Sequence, residues 1–302
     1  MLKILSDYSL QFNKIGKLFK TTFKSWYDRD PFRESAVIAY NAIFSLPGLL
    51  VVVFAMVGYF FDADVFSGKM HAQIAKAMGA ETADQIQSII LKGYKSKDTK
   101  FHTIIAIITI VIGATGVFVQ MQKSLNNIWE VKATATKSGI WVFFKTRLFS
   151  FGLIITIAFL LLISMVLSTL LSALSNWLML HFSESFLTFF KIIDFIVSLV
   201  IITILFVLMF KILPDVKIKW NLVWMGAFIT AFLFVLGKTA LGLYFGKANP
   251  GAGYGAAGSI ILIMLWTSYS SMIVLFGAEF TKAYADLYYG EVPPSVTAVP
   301  SN

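Results

Sequence analysis

The chain has 302 residues, of which 58% are hydrophobic, with a mean hydropathy of +0.78 and a formal net charge of +9. That is too apolar for a single soluble domain and reads as a polytopic membrane protein. The absence of cysteine excludes disulfides, thiolate metal sites and a cysteine nucleophile. The apolar runs are continuous over about 20 residues rather than alternating, so the expected fold is all-α with six transmembrane helices and not a closed barrel. The basic residues are spread through the loops between these runs, which fits topology and anionic lipid headgroups better than nucleic acid.

Residues 1–35 read as a cytoplasmic segment carrying an interfacial amphipathic helix. Leu2, Leu5, Phe12, Ile15, Phe19, Phe23 and Trp26 recur at helical spacing, with Lys3, Lys14, Lys17, Lys20 and Lys24 mostly between them. The same stripe would also suit packing on the protein's own cytoplasmic loops. Residues 36–285 form the six-helix domain, with spans expected at 36–60, 102–123, 148–173, 189–210, 222–245 and 256–281. The first long apolar run starts only near Ala36 and has spanning length, so a cleavable signal peptide is not expected. Pro47-Gly48 should kink the first span, because proline removes a helical hydrogen bond; the kink is either a hinge or packing.

The 62–100 loop reads as a short outer cap of two amphipathic helices, around Ile74, Ala77 and Met78 and then Ile86, Ile89 and Ile90. Residues 286–302 read as a disordered cytoplasmic tail. Counting Lys and Arg by side gives 16 on the side of both termini and 7 on the other, which predicts cytoplasmic termini.

With the orientation fixed, helix rise gives the depth of each polar group. Tyr40, Asn41, Gln120, Asn126, Arg147 and Glu279 fall toward the cytoplasmic side and are candidates for one substrate recess. For Glu279 the alternative is a carboxylate near the headgroups that bonds a loop or Arg147. Asp194 and Lys238 fall at matched depth near the outer face and read as an outer pair or gate, since an unpaired charge in hydrocarbon is expensive. The alternatives are a static pair that fixes packing and a Lys238 that snorkels outward. Gly255 and Gly258, in the Gly-rich entrance to the sixth span, read with Pro47 as hinge or packing positions. The hydroxyls of Ser259, Thr267, Ser268, Ser270 and Ser271 read chiefly as packing groups, because hydroxyls in membrane helices bond back to their own backbone.

Enzyme readings are disfavoured. The three histidines fall on or near the outer side, no metal-ligand spacing occurs in a cytoplasmic segment, and no nucleophile elbow is present. No catalytic residue, metal or cofactor is expected.

Several stretches together resemble the YihY/BrkB family of bacterial inner-membrane proteins: Ala36-Val-Ile-Ala-Tyr40 running to Pro47, Gln120 to Trp129, Leu213-Pro214, Tyr254-Gly-Ala-Ala-Gly258, and Trp266 with Gly277-Ala-Glu279-Phe280. The resemblance covers residues 25 to 285. It implies six transmembrane helices, cytoplasmic termini, a place in the inner membrane and a transporter assignment, with some members linked to envelope lipid export. A "ribonuclease BN" label carried by the family finds no metal ligands here. The expected function is that of a transporter or flippase-like protein for a lipid or amphipathic anion. The alternative is a non-transporting scaffold that docks a periplasmic lipid-transport protein through the 62–100 loop. Membrane lipids are the expected partners, and nucleic acid is not one.

Overall fold

The structure is a computed structural model that describes residues 2–60, single positions between 68 and 88, and residues 115–133, 184–248, 250–290, 292–295 and 298–301. It opens with helices α1 (Leu2–Asp28) and α2 (Pro31–Phe60). The elbow between them follows from local chemistry. Asp30 takes the left-handed conformation at φ 52, and its carboxylate accepts the Arg33 N–H at 3.5 Å. Pro31, with no N–H to satisfy, occupies the first helical position. The first expected span lies in α2, which remains helical through Pro47 and Gly48.

Residues 115–128 are helical and lead into a short strand, β1 (Val131–Ala133). Three long helices follow: α3 (Glu184–Ile212), α4 (Trp220–Ala248) and, after a 3-10 turn at Ala252–Ala257, α5 (Gly258–Tyr288). Their continuous apolar sequence permits this, because a helix satisfies its own backbone polar groups in hydrocarbon. Among the described residues three helices are long and apolar enough to cross a membrane, at Phe195–Ile212, Trp220–Phe245 and Gly258–Tyr288. The span expected at 148–173 and most of that at 102–123 lie outside the described residues. Gly68, His71, Ala72, Ala75, Ala80, Ala83, Asp84, Gln87 and Ser88, from the expected outer cap, are helical, and His71 Nε2 meets Asp84 Oδ1 at 2.7 Å.

Helix α5 is the element against which α1, α2 and α4 pack, while α3 packs on α4. The α4–α5 crossing is built from two Gly-x-x-x-Thr units facing each other. Thr230 Oγ1 donates to Gly226 O and Thr281 Oγ1 to Gly277 O, each at 2.7 Å. A Cβ on Gly226 would overlap Thr281, and one on Gly277 would overlap Thr230. Each threonine thus satisfies its hydroxyl within its own helix and fills the space its glycine partner leaves open.

The buried core gathers at one end of the bundle, where the α1–α2 elbow and the chain's last described residues lie. Ile38, Leu125, Phe210, Ile218, Val223 and Ala278 belong to it. The chain's last residues close this end, which corrects the expectation of a disordered tail at 286–302. Helix α5 runs on to Tyr288, and a second strand, β2 (Ala298–Pro300), pairs antiparallel with β1. Ala298 is buried, and Ser301 N–H donates to Glu130 O at 2.7 Å. Upstream, Lys217 N–H bonds Pro293 O and Ser295 N–H bonds Asp215 O. Prolines that forbid helix leave the tail extended, and the turns beside it supply the backbone partners it needs.

Candidate functional site

The site grows from the α1–α2 elbow. Helix α1 is seated on α5 by buried Leu18 and Thr22, by Trp26 Nε1–H donating to Met272 O at 3.2 Å, and by ring contacts of Phe19 with Phe280 and Trp26 with Phe276. That seating carries Arg29, the last residue before Asp30, over the end of α5. Its guanidinium meets three acceptors from three elements. Nη1 donates to Asn127 O at 2.9 Å, Nη2 to Glu130 Oε1 at 2.7 Å, and Nε lies 2.7 Å from Glu279 Oε1. Lys282, one turn beyond Glu279 on α5, donates to the same Glu130 oxygen at 2.7 Å.

The two carboxylates differ in surroundings. The Glu279 side chain is only 3% exposed, whereas that of Glu130 is 60% exposed. Glu279 Oε1 has no hydrogen-bond donor despite the nearby Nε, so the Arg29 contact there is an ion pair whose N–H is not aimed at the oxygen. For Glu130 the hydrogen bonds from Lys282 and then Arg29 hold the carboxyl below its ordinary value of 4.5. Glu130 also adopts φ 54, a left-handed conformation disfavoured for a residue with a Cβ, and it is fixed there by its carbonyl's bond to the tail.

Beside Glu279 is a cavity of about 10 Å³, about the size of one water. Trp26, Arg29, Glu34, Ser124 and Asn127 contribute to its lining, and Ser124 Oγ donates to Glu34 Oε2 at 2.8 Å. Of the described residues expected to form one recess, Glu279 alone lines this cavity. Tyr40 is exposed on α2, ring to ring with Phe44, and Asn41 bonds back to Val37 O at 2.9 Å. Gln120 is half-buried on the 115–128 helix. Asn126 makes a reciprocal pair with Asp215: its Nδ2 donates to Oδ2 and its Oδ1 accepts the Asp215 N–H, both at 2.8 Å. Gln122 adds a longer bond to the same carboxylate at 3.4 Å. Arg147 lies outside the described residues, so its expected pairing with Glu279 does too; Arg29 meets Glu279 here.

At the other end, Lys238 is exposed on α4, Asp194 lies in α3 with a side chain outside the described residues, and Gly255 falls in the 3-10 turn. Gly258 opens α5 in backbone contact with Gly251, where a Cβ on Gly251 would lie 3.1 Å from Gly258 O. Sequence reasoning missed Arg29, Glu130, Lys282 and Asp215. The available signals were an Arg-Asp-Pro helix break at 29–31 and an aspartate directly after Leu213-Pro214.

A second cavity, of about 510 Å³, is an open trough between α3 and α4. It is lined by Ile196, Leu199, Val200, Thr203, Asn221, Trp224, Met225 and Phe228.

A helical bundle joined by small-residue crossings, with long apolar helices and a buried ion pair at one end, defines a multi-pass helical membrane protein. Within that class, the chain belongs to the family described as virulence factor BrkB, whose profile matches residues 22–297. A relative from Pseudoalteromonas atlantica, named "UPF0761 membrane protein", is 26% identical over 98% of this chain and 95% of its own. Proteins of the same name from Saccharophagus degradans and Tolumonas auensis are 23% and 25% identical over 91% and 86% of this chain. This chain spans 61% of the former's length and 82% of the latter's. No solved structure matches it.

Proposed function

We infer that the protein is an inner-membrane transporter or flippase-like protein for a lipid or amphipathic anion, with six spans and both termini in the cytoplasm. The observation that supports this reading is Glu279, a carboxylate buried at the end of a spanning helix whose counter-charge comes from the α1–α2 elbow. Ionisable groups inside spans are costly and serve substrate or ion pathways where they persist. In this reading the Arg29 bridge from α1 to α5 and to the β1 turn is the cytoplasmic gate. Breaking it would open the Glu279 cavity to the cytosol and expose a cationic guanidinium to an anionic headgroup. The exposed row of Ile15, Phe19, Phe23 and Tyr27 on α1, flanked by lysines, lies on the membrane surface, so lipid composition bears on the gate.

The test is flux of a fluorescent phospholipid analogue in proteoliposomes. Wild-type protein is expected to move the analogue, Arg29→Gln and Glu279→Gln to slow it by about tenfold or more, the size of one lost charge-assisted contact, and Lys238→Ala to impair it with the protein still folded. Flux no higher than in protein-free vesicles would sink the reading. If the 62–100 loop then crosslinked to a periplasmic protein, the scaffold function would take its place.

A further inference from the structure

The trough between α3 and α4 has a polar mouth and a largely apolar floor. Its mouth is Asn221, exposed in the first turn of α4. Its lining runs from Ile196 to Thr203 on α3 and from Asn221 to Phe228 on α4, about 10 Å along each helix at 1.5 Å per residue. Along this length the one hydroxyl is that of Thr203, and it already donates to Leu199 O at 2.7 Å. Beyond it the lining side chains add the Trp224 indole N–H, one turn from Asn221, so the complement of the trough past that level is a hydrocarbon chain.

The mouth has the opposite character. Lys217 and Lys219 are exposed in the turn that precedes α4, and Lys219 Nζ stands 5.6 Å from the Tyr289 ring centre. The nearby Asp215 carboxylate accepts bonds from the neutral amides of Asn126 and Gln122 and keeps its charge, so it offsets one of the two cations and leaves the mouth net positive. Leu222 and Val223 N–H both point to Lys219 O, which leaves the first two N–H groups of α4 without a helical acceptor. Exposed Trp220 and Trp224 stand at the level where indoles favour the membrane interface. Two cations, free helix N–H groups and a side-chain amide form a mouth suited to a phosphate.

We propose that this trough binds one anionic phospholipid of the leaflet at the end carrying the α1–α2 elbow, its acyl chain along α3 and α4 and its phosphate at Asn221, Lys217 and Lys219. The site rests on the orientation inferred above but not on transport, and a protein that moves nothing would still hold the lipid.

The experiment is native mass spectrometry of the full-length protein in detergent, titrated separately with phosphatidylglycerol and with phosphatidylcholine of the same chains. Phosphatidylglycerol is expected to be retained more strongly. The preference should fall by about fivefold for each of Lys217→Gln and Lys219→Gln, two surface changes that leave folding intact. Val200→Trp, which fills the trough, should reduce retention of both lipids. Equal retention of the two lipids by wild type, or a preference untouched by the double lysine change, would overturn the proposal. So would a dimer that dissociates on Val200→Trp, because a second copy of the chain would then occupy the trough. Flux measurements on the same variants separate failure of this site from failure of the transport reading.

Discussion

The two ends of α5 are held by different physics. At the charged end, Gly277, Ala278, Glu279, Phe280 and Thr281 are all buried, and cations from the α1–α2 elbow and from α5 itself converge on two carboxylates. At the opposite end the helix starts from a 3-10 turn of Ala and Gly, with Gly253 and Tyr254 exposed. Its attachments there include a backbone contact between Gly251 and Gly258 and a tilted ring pair of Phe245 and Trp266 at 6.5 Å. One end is tied by directional bonds among side chains and the tail. At the other, the contacts described are close backbone and ring packing. A bundle built this way should open more readily at the glycine-rich end and need a specific trigger at the charged one.

The largest expected effect tests the charged end. Arg29→Ala leaves Glu279 buried without its counter-charge, a change that destabilises by about 3 kcal/mol or more. Thermal unfolding of the purified variant in detergent should show the loss, and Arg29→Ala combined with Glu279→Gln should recover most of it. A single variant as stable as wild type would mean that Glu279 is not held by this pair.

The same contrast explains what was legible in the sequence. The helical class and the spans in α3, α4 and α5 follow from hydropathy and spacing, which are local properties, as does the position of Glu279 near the end of α5. The Arg29 network was not legible, because it depends on how the α1–α2 elbow lands on α5, with partners 98 to 152 residues apart among its hydrogen bonds. Asn126 illustrates the other side of this. Its amide reads as lining a recess, but its partner is an aspartate in the α3–α4 turn, which periodicity cannot see. The tail misled for a related reason: its prolines and small residues resemble a disordered segment, and only the presence of β1 as a pairing edge gives it structure.

A smaller effect separates the two kinds of glycine. Gly277→Leu drives a side chain into Thr230 at the α4–α5 crossing and should cost about 1–3 kcal/mol. Gly253→Ala meets nothing within 4 Å and should stay within about 0.5 kcal/mol of wild type. Melting temperatures of the two variants, measured in one detergent, compare the ends directly. If the Gly253 change proved the more damaging, the glycine-rich end would be the tightly packed one.

The smallest effect is a dependence on pH. Glu130 is the surface member of the network, and its carboxyl is held below the ordinary 4.5 by Lys282 and Arg29. Because the folded value is depressed, its contribution is complete above the unfolded value and is lost as pH falls through the folded one. With a side chain 60% exposed, solvent screening limits that contribution to under about 1 kcal/mol. Unfolding of wild type and Glu130→Gln should therefore differ slightly at neutral pH and converge below pH 4.5, with the difference shrinking in high salt. A gap that persisted at acid pH would place the role of Glu130 in its backbone, where φ 54 and the Ser301 bond hold the β1 turn, rather than in its charge.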